Sequence, residues 1–219
     1  MKKLHTLAID DHAVVLEGYH YMFKNLEHDY DDLKFVKAHD CQSGYAAINS
    51  HIDDPFDIAL IDYSLPPFAE RNLFSGEDIA LVLRHEMPHC KIIMMTMHRQ
   101  LDIIASILHN VAPEGFINKS DCSTDELITG FKEVLNGNRF YSKTIADYLD
   151  RKRNGIMLDE VDVRIVLLLA KGIKNKNLPN YIPLSVSAIE KRKYKIKRLL
   201  GVDGGDEDLI KEARIQGYI

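Results

Sequence analysis

Five positions in this chain carry residue types that could handle a phosphoryl group. Asp10 and Asp11 close the short apolar run His5 to Ile9, and Asp62 closes Ile58 to Ile61. Thr96 ends the run Lys91 to Met95, and Lys119 ends the run from Gly115. Three carboxylates brought close together repel one another, and a hard divalent cation such as Mg²⁺, which prefers oxygen ligands, relieves that repulsion. An ammonium and a hydroxyl added to the set would stabilise a phosphoryl group moving onto a carboxylate nucleophile. Each residue alone has an ordinary explanation: a turn aspartate, a strand-end hydroxyl, a surface lysine. Their recurrence at the ends of successive apolar runs argues that they converge.

Convergence requires a particular scaffold. The runs are short and rich in β-branched residues, which reads as buried strands. Between them the apolar residues fall at helical spacing. Val14, Val15, Gly18, Tyr19, Met22 and Phe23 form one such stretch, ending near Asn25. A polar connection, Tyr30 to Asp32, leads to a strand Leu33 to Ala38 and a helix from about Ser43 to Ser50. Ser75 can cap a helix holding Ile79 to Leu83, Leu101 to His109 is helical in pattern, and Ser123 or Thr124 can cap a helix through Val134 that Gly137 ends. Five β-α units place this part in the α/β class, as a five-stranded parallel, doubly wound, flavodoxin-like sheet. The carboxyl ends of its strands border a single crevice.

The remainder is different in kind. After Arg139 to Gly155, read as a connecting helix and polar linker, the pattern is helical only, in four short segments. The expected layout is 1–138, a connector 139–155, and a small all-α domain 156–219. Net charge is −5 at pH 7, but residues 151–219 hold 15 Lys and Arg against 9 Asp and Glu, whereas the rest hold 13 against 24. An acidic front suits cations, and a basic back suits polyanions such as nucleic acid. The three cysteines lack CxxC spacing, which disfavours a disulfide framework or zinc site and fits a reducing cytoplasm. No signal peptide is evident, and no run approaches the roughly 20 apolar residues of a membrane span.

Residues 4 to about 138 resemble the receiver domain of two-component response regulators. The resemblance rests on Asp10-Asp11 as acidic pair, Asp62 with Pro66 four residues on, Thr96 and Lys119. It implies that a sensor histidine kinase phosphorylates Asp62, that Asp10, Asp11 and Asp62 hold Mg²⁺, and that Thr96 and Lys119 engage the phosphoryl group. It also implies that Phe116, three residues before the lysine, then turns inward. Such a domain accepts and slowly loses a phosphoryl group without being a dedicated enzyme. Two departures stand out: the loop Pro66 to Ser75 is longer than usual, with the next glycine only at Gly76, and Ser120 replaces a common proline.

Residues 158 to 219 resemble the LuxR-type helix-turn-helix, through Leu158-Asp159-Glu160, Ala170-Lys171-Gly172, Asn175-Lys176, Leu184-Ser185 and Gly201-Val202. In the segment Ser185 to Leu200, Ile189, Ile196, Leu199 and Leu200 form an apolar seam under a basic face. The pairing of domains resembles the NarL/FixJ class and implies a cytoplasmic transcription factor that binds double-stranded DNA, as a homodimer when active. Glu190, Lys191 and Tyr194 would then meet the major groove, with Arg192, Lys193, Lys195 and Arg198 on phosphates. Pro179 falls inside the second helix, where a mid-helix proline costs about 3 kcal/mol. That departure, with the long loop and Glu190, motivates one alternative, a protein-interaction adaptor with degenerate DNA binding. A phosphatase with a nucleophile after the first strand is disfavoured, because Asp10-Asp11-His12 lacks the Asp-x-Asp spacing.

Overall fold

The computed structural model describes residues 3–24 and 32–219. The connection expected from Tyr30, apart from Asp32, and the helix end near Asn25 lie outside them. The chain divides into two compact units, residues 1–98 with 105–146, and residues 99–104 with 147–219.

The first unit is a parallel sheet. Its strands are β1 (Lys3–Ile9), β2 (Asp32–Ala38), β3 (Ile58–Asp62), β4 (Lys91–Thr96), β5 (Gly115–Asn118) and β6 (Phe140–Tyr141), in the order β2-β1-β3-β4-β5-β6. All five ladders are parallel. Five strands were expected. The sixth is two residues long, too short to show any alternation in the sequence. Its place depends on tertiary packing: Phe140 lies over Gly130, where a Cβ would come within 2.4 Å of its ring.

The helices are α1 (Ala13–Lys24), α2 (Cys41–Ser50), α3 (Gly76–Glu86), α4 (Leu101–Asn110), α5 (Thr124–Leu135) and α6 (Lys143–Arg153). On one face of the sheet, Leu16, Tyr19 and Phe23 of α1 pack with Leu127, Phe131 and Val134 of α5 over Leu4, Ala8, Ile58, Leu60 and Ile93. The Phe23 and Phe131 rings approach to 3.9 Å between centroids. Leu7, Ile9, Ala59, Ile61 and Met94 alternate with these and are equally buried, as a parallel sheet covered on both faces requires. Val14, expected on the apolar face of α1, is instead exposed. Helix α2 begins earlier than the expected Ser43, because Asp40 and Ser43 form a reciprocal capping box.

The second unit holds α7 (Glu160–Ala170), a 3-10 helix (Asn175–Asn180), α8 (Val186–Leu200) and α9 (Asp206–Ile215). Asp159 caps α7 and Ser185 caps α8, whereas α9 is capped by Gly205, one residue before the expected Asp206. Ile165, Val166, Leu169, Leu178, Ile189, Ile196, Leu200 and Leu209 share one core. Pro179 resides in the 3-10 helix. So short and tight an element takes a proline where a longer α-helix would kink. Leu178 beside it is fully buried.

Candidate functional site

The sheet delivers Asp10, Asp62, Thr96 and Lys119 to its carboxyl edge. Lys119 Nζ lies 2.6 Å from Asp10 Oδ2 and 2.7 Å from Asp62 Oδ1, so one ammonium bridges two strand ends. Asp10, Asp62 and Thr96 are buried, while Asp11 is exposed. Burial pushes the Asp62 carboxyl above its ordinary value, and nearby Asp10 and Asp11 add to the push against the opposing effect of Lys119. Burial would by itself lower the Lys119 ammonium, but its bonds to Asp10 and Asp62 hold it raised and therefore charged. A carboxylate that is desolvated yet held ionised by a cation is a competent nucleophile.

The backbone around Asp62 explains the displaced glycine. A Cβ on Gly76 would sit 1.8 Å from the Asp62 carbonyl oxygen, so the first residue of α3 must be glycine for the helix to approach the strand end. The Gly76 N–H donates to Tyr63 O at 2.8 Å. The extra residues between Pro66 and Ser75 form a small closed turn: Phe68 and Leu73 pair across it, residues 69–71 are 3-10, and Asn72 takes a left-handed conformation at φ 56°. This turn packs on α2, with the Arg71 guanidinium 5.4 Å from the Tyr45 ring centre and Cys41 N–H donating to Pro66 O. Leu73 is buried, whereas Phe74 is exposed.

Two features of the arrangement differ in detail from the expectation. Among the described residues, the group whose ligating atoms lie within 4.8 Å of one another is Asp10, Asp11 and His12, not Asp10, Asp11 and Asp62. Asp62 is drawn to Lys119 instead, and His12 Nδ1 stands 2.6 Å from Asp11 Oδ1. The oxygen-rich donor set fits a hard divalent cation, with the imidazole as an added nitrogen. Phe116, expected to turn inward on activation, is already fully buried, because residue parity along β5 points it into the sheet's packed face.

Helix α8 sorts its charges by face. Lys193 is buried, 2.8 Å from Asp206 and 3.7 Å from Glu190, so it ties α8 to α9 and is not a surface phosphate contact as expected. Arg192 pairs with Asp159 at 2.8 Å and with buried Asp162 at 2.6 Å, and Lys195 reaches Asp162 at 3.1 Å. Glu190, Lys191, Tyr194 and Arg198 are exposed along one side of the helix. Tyr194, a large apolar ring at 69% exposure, projects farthest from any core role.

No family model matches the chain. It is 26% identical over 206 residues to the transcriptional regulatory protein MctR of Rhizobium johnstonii, covering 91% of this chain and 88% of that one. It is 27% identical over 211 residues to the oxygen regulatory protein NreC of Staphylococcus aureus, covering 90% and 91%. Among solved structures, the response regulator RcsB in complex with DNA matches over 97% of this chain and 98% of that chain, with a TM-score of 0.64 and 20% identity. Over most of its length the chain is thus similar in sequence to these regulatory proteins and shares the fold of the response regulator RcsB.

Sequence reasoning missed four residues around the acidic edge. Asn118 is fully buried immediately before Lys119. Its signal was an amide in an otherwise apolar strand. Ser64 and His98, both within two residues of expected site positions, are joined through Ser64 Oγ and His98 Nε2 at 3.1 Å. His12 was visible only as the neighbour of the acidic pair. Ser120, in place of the common proline, donates from its N–H and its hydroxyl to Asn118 Oδ1. That side-chain turn sets the chain direction after the lysine, and the described residues contain no cis peptide bond.

Proposed function

We propose that this response regulator is phosphorylated on Asp62 and thereby switches a DNA-binding unit. The observation that carries the reading is Lys119 held between Asp10 and Asp62 at the carboxyl edge of the sheet. An Asp62 carboxylate oxygen attacks the phosphorus of a phosphohistidine on a sensor kinase. The phosphorus–nitrogen bond breaks, an acyl phosphate forms, and the imidazole leaves with the bonding pair. Lys119 and the Thr96 hydroxyl meet the new phosphoryl oxygens. Asp10 and Asp11 would hold Mg²⁺, with Asp62 joining them when it turns from Lys119, and the ion would neutralise phosphoryl charge when bound. The domain is not a dedicated enzyme, since the acyl phosphate is lost by slow hydrolysis without a second substrate.

The second unit binds double-stranded DNA as a homodimer. Glu190, Lys191 and Tyr194 face the bases, and Arg198 meets a phosphate. Arg192 and Lys195 approach phosphates from beneath their partners Asp159 and Asp162. The RcsB relative was solved on DNA, which supports this assignment. The adaptor alternative is not favoured, since Pro179 is absorbed by a 3-10 helix that leaves Leu178 in the core. No helix among the described residues is long and apolar enough to cross a membrane, in keeping with a cytoplasmic regulator.

Labelled acetyl phosphate with Mg²⁺ tests the first part. Wild type takes up the label and Asp62→Asn does not; equal labelling of both would overturn the reading. Binding of phosphorylated protein to genomic DNA fragments at low salt tests the second, and no binding under those conditions would favour the adaptor.

A further inference from the structure

Asn118 is the only buried carboxamide among the described residues; each of its polar groups is hydrogen-bonded, its two donors to residues 20 and 24 positions away and its two acceptors to the turn that follows it. Its Nδ2 donates to His98 O at 2.7 Å, two residues beyond Thr96. Its Oδ1 accepts from the Ser120 N–H at 3.1 Å and the Ser120 hydroxyl at 2.6 Å, on the far side of Lys119. Its backbone N–H donates to Ser142 Oγ at 2.9 Å, and its carbonyl accepts from the Asp121 N–H at 3.2 Å. Asp121 Oδ2 in turn accepts from the Thr144 N–H at 2.6 Å, in the first turn of α6. Lys119 N–H donates to Thr96 O at 2.7 Å, closing the set.

We propose that Asn118 is a positioning residue that holds the Thr96 segment, the Lys119 segment and the start of α6 as one body. The chemistry requires an amide. One end must donate to the His98 carbonyl while the other accepts from Ser120, and both ends are buried. Aspartate offers only acceptors and would repel the carbonyl; leucine has the volume but neither function. Either change strands buried partners, which is costly. The tie to Ser142 and, through Asp121, to Thr144 means that a displacement of the lysine segment is delivered to α6, the helix within which the chain passes from the first unit to the second. The inference rests on the phosphoacceptor reading of Asp62 and extends it to how the phosphoryl state leaves the site.

The test uses the full chain, with acetyl phosphate as donor and hydrogen exchange of the Thr144 and Ile145 amides as the second readout. Asn118→Leu is expected to lower the saturating labelling rate about tenfold, with half-saturation unchanged, the size of one lost buried hydrogen bond in the reacting arrangement. A purely structural role would change the melting temperature without that split. The same variant is expected to speed exchange at the start of α6 about tenfold and to abolish its response to phosphorylation. If Asn118→Leu does not fold, Ser142→Ala keeps the carboxamide and removes the direct one of the two links toward α6, leaving that through Asp121; it should label at the wild-type rate while exchange accelerates. Labelled wild type with unchanged rate in Asn118→Leu, or unchanged exchange in Ser142→Ala, overturns the inference. Failure of wild type itself to label overturns the phosphoacceptor reading instead, and the exchange arm still reads the tie.

Discussion

The sheet edge and helix α8 treat charge in opposite ways. At the sheet edge, Asp10, Asp62 and Lys119 are far apart in sequence and end within hydrogen-bonding distance. In α8, Arg192, Lys193, Tyr194 and Lys195 are consecutive and are sent to different surroundings: one lysine to the core, an arginine and a lysine to the α7 carboxylates, a tyrosine to solvent. The reason is geometric. Parallel strands present their last residues along one line, so distant positions accumulate there. A helix turns once in about 3.6 residues, so neighbours in sequence diverge. A functional cluster in the first region is a set of strand ends; in the second it is a stripe.

The gathering at the sheet edge should break most severely at Gly76. Gly76→Ala drives a Cβ into the Asp62 carbonyl, and the loss of stability should be about 3 kcal/mol, the upper part of the usual range for overpacking. Urea denaturation measures it, and a loss near zero would mean that α3 can retreat from the strand end. Lys119→Met leaves Asp10 and Asp62 facing each other without their cation. It should cost about 3 kcal/mol, the low end for breaking a buried pair, since Lys119 retains 18% side-chain exposure. Added Mg²⁺ should recover part of that loss in the same titration, and a flat response to Mg²⁺ would argue against cation binding beside these carboxylates.

The scattering along α8 gives a paired prediction of smaller size. Lys193→Met should destabilise the protein by about 1–2 kcal/mol, because Asp206 loses its partner at a half-exposed edge, while DNA affinity changes only as stability does. Lys191→Ala should leave stability within about 0.5 kcal/mol and, if its ammonium meets a phosphate, reduce the salt slope of DNA binding by about 1. The reverse pattern would mean that the helix presents another face.

The smallest expected effect lies at the opposite edge of the sheet. His5 is buried against His51 and Phe56, and burial lowers its pKa from 6.5 despite Asp54 at 3.8 Å; His51 and Lys34 push in the same direction as burial. The unfolded chain then takes up the proton more readily than the folded one. Stability is therefore complete above the ordinary value and declines as pH falls toward the lowered one. His5→Phe should flatten the change in melting temperature between about pH 7.5 and 5.5. An equal slope in both proteins would place the acid sensitivity elsewhere.

Much of this was open to inspection in the sequence. Strand ends carrying Asp10, Asp62, Thr96 and Lys119 could be read because buried parallel strands are continuous apolar runs, and a charge at their end is conspicuous. The helical back half, its caps at Asp159 and Ser185 and the apolar seam of α8 were legible for the same reason of periodicity. Other features depend on what a residue meets across the fold. Whether Asp62 turns to Lys119 or to Asp11, whether Lys193 points in or out, and whether Phe140 adds a strand beside β5 are decided by partners tens of residues away. Local pattern sets which element a residue joins. Only packing sets which neighbour satisfies its charge or its hydrogen bonds, and that is why the carboxylates were evident from the sequence while Asn118, which ties together the segments around them, was not.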